Sequence, residues 1–143
     1  MKSKEQKIVT SLSNRPILIW GARMTGIGFL RFTKKYSLNV IGCVDGDPSL
    51  IGRKIENFQI NKPDKIPSLK AEHDNLAVVV AVALKEDEII KSLTEMGISR
   101  EDCINYSEYC DCFFTIDIVG TCNLNCPSCA QSINTIKNPV GIM

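Results

Sequence analysis

Short apolar segments alternate with amphipathic segments along the first hundred residues of the chain. Residues 17–20 and 76–83 are continuous apolar runs, and residues 40–44 form a third, largely apolar segment. Continuous apolar runs of this length predict parallel strands that are buried on both faces of a sheet. A further short strand is predicted at residues 103–106.

Helical periodicity lies between these predicted strands. Ile8, Val9 and Leu12 have the spacing of one face of a short N-terminal helix. Residues 85–96 also place their apolar side chains on one face, and Gly97 is a suitable C-cap for that helix. A third helix is predicted after the first strand, with four large side chains available for packing: Phe29, Leu30, Phe32 and Tyr36.

The order of these elements predicts an α/β fold. Helices and strands follow each other as βαβ, loop, βαβ, which favours a Rossmann-like parallel sheet with right-handed crossovers and helices on both faces. Residues 51–70 include Pro63 and Pro67 and are predicted to be rich in loops. We expect an N-terminal helix at residues 1–14 and a Rossmann-like domain of the nucleotide-binding type at residues 15–109.

Composition narrows the class of protein. The chain has 143 residues, of which 44% are hydrophobic and 23% charged, with a formal net charge of +1. This balance gives no electrostatic basis for binding nucleic acid or an acidic membrane surface. The longest apolar run, residues 76–84, is shorter than the ~20 residues of a membrane-spanning helix. Residues 1–7 are not followed by the apolar segment of a signal peptide, so a cytoplasmic location is expected.

The cysteine count favours a metal over disulfides. Seven cysteines are present, an odd number, and no export signal accompanies them. A reducing compartment is therefore expected. Cys43 and Cys103 lie in apolar runs and are predicted to be inert core residues. His73 is the single histidine and lies in a polar stretch, which excludes a Ser–His–Asp arrangement built around it.

A glycine-containing segment joins the first predicted strand to the next helix. Gly21 could make the tight turn, and Gly26 could allow the helix to pack closely on the strand. Free N–H groups and the helix dipole at such a helix start favour a bound phosphate. Asp45 follows Gly26 by 19 residues and ends the second strand, where an acidic residue would bind a ribose hydroxyl.

Arg23 occupies the position of the middle glycine in a G-x-G-x-x-G pattern. It would obstruct a pyrophosphate that approaches the backbone, or it would bind a phosphate through its own side chain. The candidate residues for a nucleotide or NAD(P) are Gly21, Ala22, Arg23, Gly26 and Asp45. A tight turn without any ligand is the alternative interpretation of this segment.

Two stretches of this region carry a family resemblance. Residues 19–22, together with the aspartate-rich turn and the Gly-Arg-Lys-Ile step within residues 44–55, resemble the Rossmann-like N-terminal domains of sugar acyltransferases and nucleotide-sugar dehydratases. The resemblance covers roughly residues 16–106. It implies the fold, and it implies a nucleotide, a nucleotide sugar, coenzyme A or no ligand.

A second motif lies near the C-terminus. Cys122, Cys126 and Cys129 have the spacing C-x3-C-x2-C, which allows three thiolates to converge on one iron–sulfur cluster. The run Cys-Asn-Leu-Asn-Cys-Pro resembles the cluster loop of the radical S-adenosylmethionine (SAM) superfamily. Ser128 departs from the family pattern, which usually has an aromatic residue before the third cysteine.

The resemblance implies a [4Fe-4S] cluster whose open iron chelates SAM. Reductive cleavage of SAM would then start radical chemistry on a small-molecule substrate, nucleotide- or sugar-linked, with an electron donor as partner. A complete β/α barrel takes ~250 residues, whereas 14 residues follow Cys129. We therefore expect residues 113–143 to be the truncated start of a radical SAM barrel, and this chain to be inactive by itself.

Two alternatives stay open from the residues themselves. Cys110 or Cys112 could add a fourth ligand and make the cysteine cluster a zinc site. The chain would then be a non-catalytic nucleotide or nucleotide-sugar binding module with a zinc-binding or disordered tail. A predicted strand at residues 113–119 would leave a sheet edge that could favour a homo-oligomer.

Overall fold

The computed structural model of the chain describes residues 2–109. Within that range the strands are β1 (Ile17–Trp20), β2 (Val40–Val44), β3 (Lys54–Ile55), β4 (Phe58–Asn61), β5 (Ala77–Val80) and β6 (Cys103–Asn105). The α-helices of the same range are α1 (Lys4–Leu12), α2 (Met24–Lys35), α3 (Ile66–Glu72) and α4 (Glu86–Glu95). The helices and strands predicted for residues 2–50 and 76–106 are confirmed, with ends that differ by a few residues.

The strands form one sheet in the order β3-β4-β2-β1-β5-β6. Strand β1 pairs in parallel with β2 on one side and with β5 on the other. The strands that follow β1 in sequence, β2 to β4, lie on one side of it, and β5 and β6 lie on the other side. The topological switch point of this Rossmann-like fold is therefore between β1 and β5. The prediction of a purely parallel sheet is wrong at one edge, because β3 and β4 are antiparallel.

The prediction that residues 51–70 are rich in loops is also wrong. This segment contains β3, β4 and α3. Ile55 and Ile60 are buried in the core and anchor these two short strands. Pro63 and Pro67 lie in the first positions of a 3₁₀ turn and of α3, where the missing N–H of proline has no helical partner to lose.

Each face of the sheet carries its own apolar core. Ile8 and Leu12 of α1 pack with Phe29 and Leu30 of α2 on one face. On the other face the core contains side chains of α3 and α4, including Ile66 and Leu93. Helices therefore cover both faces, as the sequence predicts. Cys43 and Cys103 are buried, one in each core, which confirms their assignment as core residues.

Several predictions fall outside the described residues. They concern the strand at residues 113–119, the second domain at 113–143, Cys110 and Cys112, and the cysteine motif at residues 122–129. Within residues 2–109, no helix has the length and apolar character needed to cross a membrane.

Candidate functional site

The loop between β1 and α2 is built on Gly21. This residue has φ +126°, a conformation that side chains rarely adopt, and a Cβ placed on it would lie 2.3 Å from the Ala81 carbonyl oxygen. The same Cβ would lie 2.9 Å from the Val82 side chain. The glycine loop therefore packs directly against the residues that follow β5, at the switch point of the sheet.

Gly26 brings α2 close to that loop. It is buried in the first turns of α2, and a Cβ on it would lie 1.9 Å from the carbonyl oxygen of Gly21. Only glycine permits this approach of the helix to the strand end. The packing roles predicted for Gly21 and Gly26 are thus observed, while ligand binding by either residue stays a prediction.

Asp45 holds the glycine loop in place. One of its carboxylate oxygens accepts the Ala22 N–H at 2.8 Å, and the other accepts the Asp47 N–H at 2.9 Å. Each oxygen keeps room for one more hydrogen bond, since a carboxylate offers about four acceptor sites. Asp45 is therefore a structural link between the β1 and β2 loops, a role that the sequence alone did not indicate.

Arg23 connects the same two loops from the solvent side. It is the N-cap residue of α2, its side chain is 72% exposed, and its guanidinium lies 2.5 Å from the Asp47 carboxylate. Hydrogen bonds from Ser49, together with the guanidinium of Arg23, hold the pKa of Asp47 below its usual value. The Arg23 guanidinium thus lies at the N-terminus of α2, beside the glycine loop.

A shallow pocket of about 300 Å³ lies at the carboxyl ends of β2 and β4. It is lined by Asp45, Gly46, Pro48, Ile51, Lys62, Pro63 and Asp64. Pockets of roughly this volume, with apolar walls and a few polar groups, are typical of small-molecule sites. Lys62 and Asp64 were missed by the sequence analysis because they reach the site only through the pairing of β4 with β2.

Metal-binding groups are not assembled in this part of the protein. Among residues 2–109, no cluster of three or more histidine, cysteine or acidic side chains could hold a metal ion. Burial raises the pKa of the Cys43 thiol to about 12, and burial likewise raises the pKa of Cys103. Both thiols are therefore poor metal ligands at neutral pH.

Comparisons with known proteins agree with this architecture. A family model described as C2185-like, N-terminal, matches residues 13–104. No curated protein matches the chain. Among solved structures, UDP-D-quinovosamine 4-dehydrogenase from Vibrio fischeri has 20% identity and a TM-score of 0.50, with 60% of this chain and 75% of that chain covered.

The Rex-family repressor RSP is a second structural neighbour. It has 21% identity and a TM-score of 0.50, and the match covers 64% of this chain and 46% of that one. The structure of RSP in complex with β-NADH matches with the same values. At this level of identity the similarities establish a Rossmann-like fold and no more, and none of them supports the radical SAM resemblance.

Proposed function

The chain belongs to the family described as C2185-like, N-terminal, and we propose that its Rossmann-like domain is a nucleotide-binding module. The ligand class is a nucleotide, a nucleotide sugar or a dinucleotide. Gly21, Ala22, Arg23 and Gly26 would surround its phosphate, and Asp45 would face its ribose.

One observation carries this proposal: the start of α2 is held at the switch point of the sheet. Gly26 packs on Gly21, and Asp45 fixes the loop between them. The first turn of α2 contains no acidic residue, so the positive end of its dipole is not neutralised by the helix itself. Ligands of open α/β sheets bind in the crevice at this location.

Arg23 would bind the phosphate of the ligand, and the pocket beside Asp45 would bind its nucleobase. The exposed guanidinium pairs with Asp47 through one nitrogen and would hold a phosphate through its remaining N–H donors, in place of the backbone contacts that a middle glycine would allow. Pro48, Ile51 and Pro63 offer apolar surface for a nucleobase. Two structural neighbours, a UDP-sugar dehydrogenase and a repressor solved with β-NADH, support this ligand class for the fold.

Calorimetric titration with UDP-N-acetylglucosamine, UDP and NADH tests the proposal. Replacing Arg23 by Ala removes a charge-assisted contact and is expected to weaken binding about tenfold. Lys91→Ala removes an exposed cation from α4 and serves as the control. Absence of binding by all three ligands at millimolar concentration, or equal affinity in both variants, would overturn the proposal.

We propose a second function for the C-terminal cysteines, favoured by their spacing. Cys122, Cys126 and Cys129 are three soft thiolate donors arranged as C-x3-C-x2-C. They would hold a [4Fe-4S] cluster, which supplies reductive cleavage of SAM when bound. The Rossmann-like domain would then present a nucleotide- or sugar-linked substrate to a radical SAM enzyme that also needs an electron donor.

Anaerobic reconstitution with iron and sulfide separates this function from a zinc site. A visible charge-transfer band and a reduced-cluster EPR signal, both perturbed by SAM, are expected for the wild type. Both should vanish when the three cysteines are replaced by alanine. Stoichiometric zinc binding without any cluster signal would favour the non-catalytic binding module.

A further inference from the structure

A second groove lies between α2 and the β3–β4 hairpin. In most of the sheet, parallel strands are joined through helices, but residues 45–57, between β2 and β4, contain β3 and no helix. The sheet face beside α2 is therefore left with an open depression of about 420 Å³. This groove shares no lining residue with the pocket beside Asp45.

The floor of the groove is apolar and belongs to the core. Ile55 and Ile60 are buried, and Ile27 of α2 packs against the same cluster. The hairpin above it is held by its backbone, since the Ile60 N–H donates to the Arg53 carbonyl at 2.8 Å. The base of the groove is therefore part of the apolar core.

The walls of the groove are cationic. Arg31, Arg53 and Lys54 line it and are exposed. Among residues 2–109 none of these three side chains takes part in an ion pair. The lining carboxylate, Glu56, is already paired with Lys34 at 2.5 Å. A chain with a net charge of only +1 thus concentrates three unneutralised cations around one depression.

We propose that this groove is a second, anion-selective site that binds a small phosphorylated molecule. Two arginines and one lysine line it, and arginine pairs with phosphate oxygens in a planar, bidentate manner. The apolar floor accommodates the uncharged part of the same ligand. Ala22 lines the groove and is also assigned to the nucleotide site, but the charged residues of the groove are not. The groove therefore does not depend on the proposal made for the nucleotide site.

Titration with pyrophosphate and with glucose 1-phosphate, followed by amide NMR shifts and calorimetry, tests the groove. Arg31→Gln and Arg53→Gln are each expected to weaken binding about tenfold, because each removes a charge-assisted contact. Lys91→Gln, which removes an exposed cation on α4 outside both proposed sites, is the matched control and should leave the affinity unchanged. Circular dichroism and urea unfolding check that all three variants are folded.

Each other outcome overturns the proposal. Loss of binding in a further variant, Arg23→Gln, with Arg31→Gln and Arg53→Gln unaffected, would place the phosphate at the glycine loop. Equal affinities in all variants, or no binding at millimolar concentration, would make the groove an ordinary solvated surface. Sedimentation with phosphatidylglycerol vesicles in the absence of any binding of the soluble phosphates would assign the cations to a lipid surface. Failure of the nucleotide proposal would appear separately, as absent binding of UDP-N-acetylglucosamine and NADH.

Discussion

Helices α2 and α4 begin after adjacent, fully buried parallel strands, β1 and β5, and yet their N-termini differ in charge. The first turn of α4 contains three acidic residues: Glu86, Asp87 and Glu88. The first turn of α2 contains none, and its N-cap residue is Arg23. Neither helix has a side-chain hydrogen bond at its N-cap.

This contrast in charge indicates which of the two helix N-termini is suited to an external anion. The N-terminus of a helix carries roughly half a positive charge. In α4 the first turn supplies its own carboxylates, whereas the first turn of α2 supplies none and its N-cap residue is a cation that pairs with Asp47. Only α2 is also drawn onto the strand end by a pair of glycines. Both helices begin at the switch point because of the strand order, and the residues of their first turns give their N-termini different charges.

The largest expected effect comes from breaking the glycine contact of α2. In Gly26→Ala, the new Cβ would lie 1.9 Å from the backbone oxygen of Gly21. Backbone atoms must then move, and we expect a loss of about 3 kcal/mol in the free energy of unfolding. Urea unfolding followed by circular dichroism measures it.

Gly28→Ala is the matched control on the same helix. Gly28 is exposed, and a Cβ there meets no atom within 4 Å. Alanine is the better helix former, so this variant should gain up to about 1 kcal/mol. Equal stabilities of the two variants would contradict the role assigned to Gly26.

A smaller loss is expected when the anchor of the glycine loop is removed. Asp45→Ala deletes the acceptor of the Ala22 and Asp47 N–H groups. We expect a destabilisation of about 1–3 kcal/mol in urea unfolding, since both bonds end on a charged acceptor. Asp64→Ala removes an exposed carboxylate from the same pocket and should change stability little. Similar losses in the two variants would argue against the anchoring role.

A carboxylate in the first turn of α2, like those of α4, should raise the stability of the protein and lower its affinity for a phosphate ligand. Met24 is 85% exposed at the first position of α2. Met24→Glu adds a carboxylate there and should stabilise the helix by about 0.3–1 kcal/mol through the dipole. The same charge repels a phosphate, so the affinity for UDP-N-acetylglucosamine should fall, whereas neutral Met24→Gln should retain it. An unchanged affinity in Met24→Glu would place the ligand away from this helix.

The smallest effect concerns the two buried thiols, one in the core on each side of the sheet. Cys43 lies beneath the glycine loop, with its sulfur 3.8 Å from the Gly21 carbonyl oxygen, and Cys103 packs with the core under α4. Iodoacetamide at pH 8 should label both slowly in the wild type. Gly26→Ala should accelerate labelling of Cys43 more than of Cys103, as read by peptide mass spectrometry. The reverse order would show that the α4 side opens first.

The same thiols give stability a pH dependence at the alkaline end. Burial raises the folded-state pKa of Cys43 to about 12, while an unfolded cysteine titrates near ~8.5. The folded state therefore holds the proton more tightly, and its stability should be retained below pH ~8.5 and decline as the pH rises above that value. Urea midpoints at pH 7.5 and 10 measure this decline, which should shrink in Cys43→Ala.

Elements with a distinct hydrophobic pattern of their own could be predicted from the amino-acid sequence. Strands β1 and β5 are continuous apolar runs and can be buried on both faces only inside a sheet. The strands β3 and β4 were not predicted, because polar residues interrupt them and they form through pairing, β4 with β2 and β3 with β4. The helix α3 was not predicted either, because its segment contains Pro63 and Pro67. Pro63 and Pro67, which favoured the prediction of loops, lie at the start of a 3₁₀ turn and of α3.

The amino-acid sequence was sufficient to predict the Rossmann-like α/β class, the glycine turn, the burial of Cys43 and Cys103, and an arginine at position 23 in place of a glycine. These features follow from periodicity and from conformations that few residue types can adopt. The folded structure was needed to show that Asp45 binds the glycine loop and that Arg23 reaches Asp47. It also brought Arg31, Arg53 and Lys54 around one groove. The physical reason is that these contacts join residues distant in sequence, and strand pairing sets the distances between them.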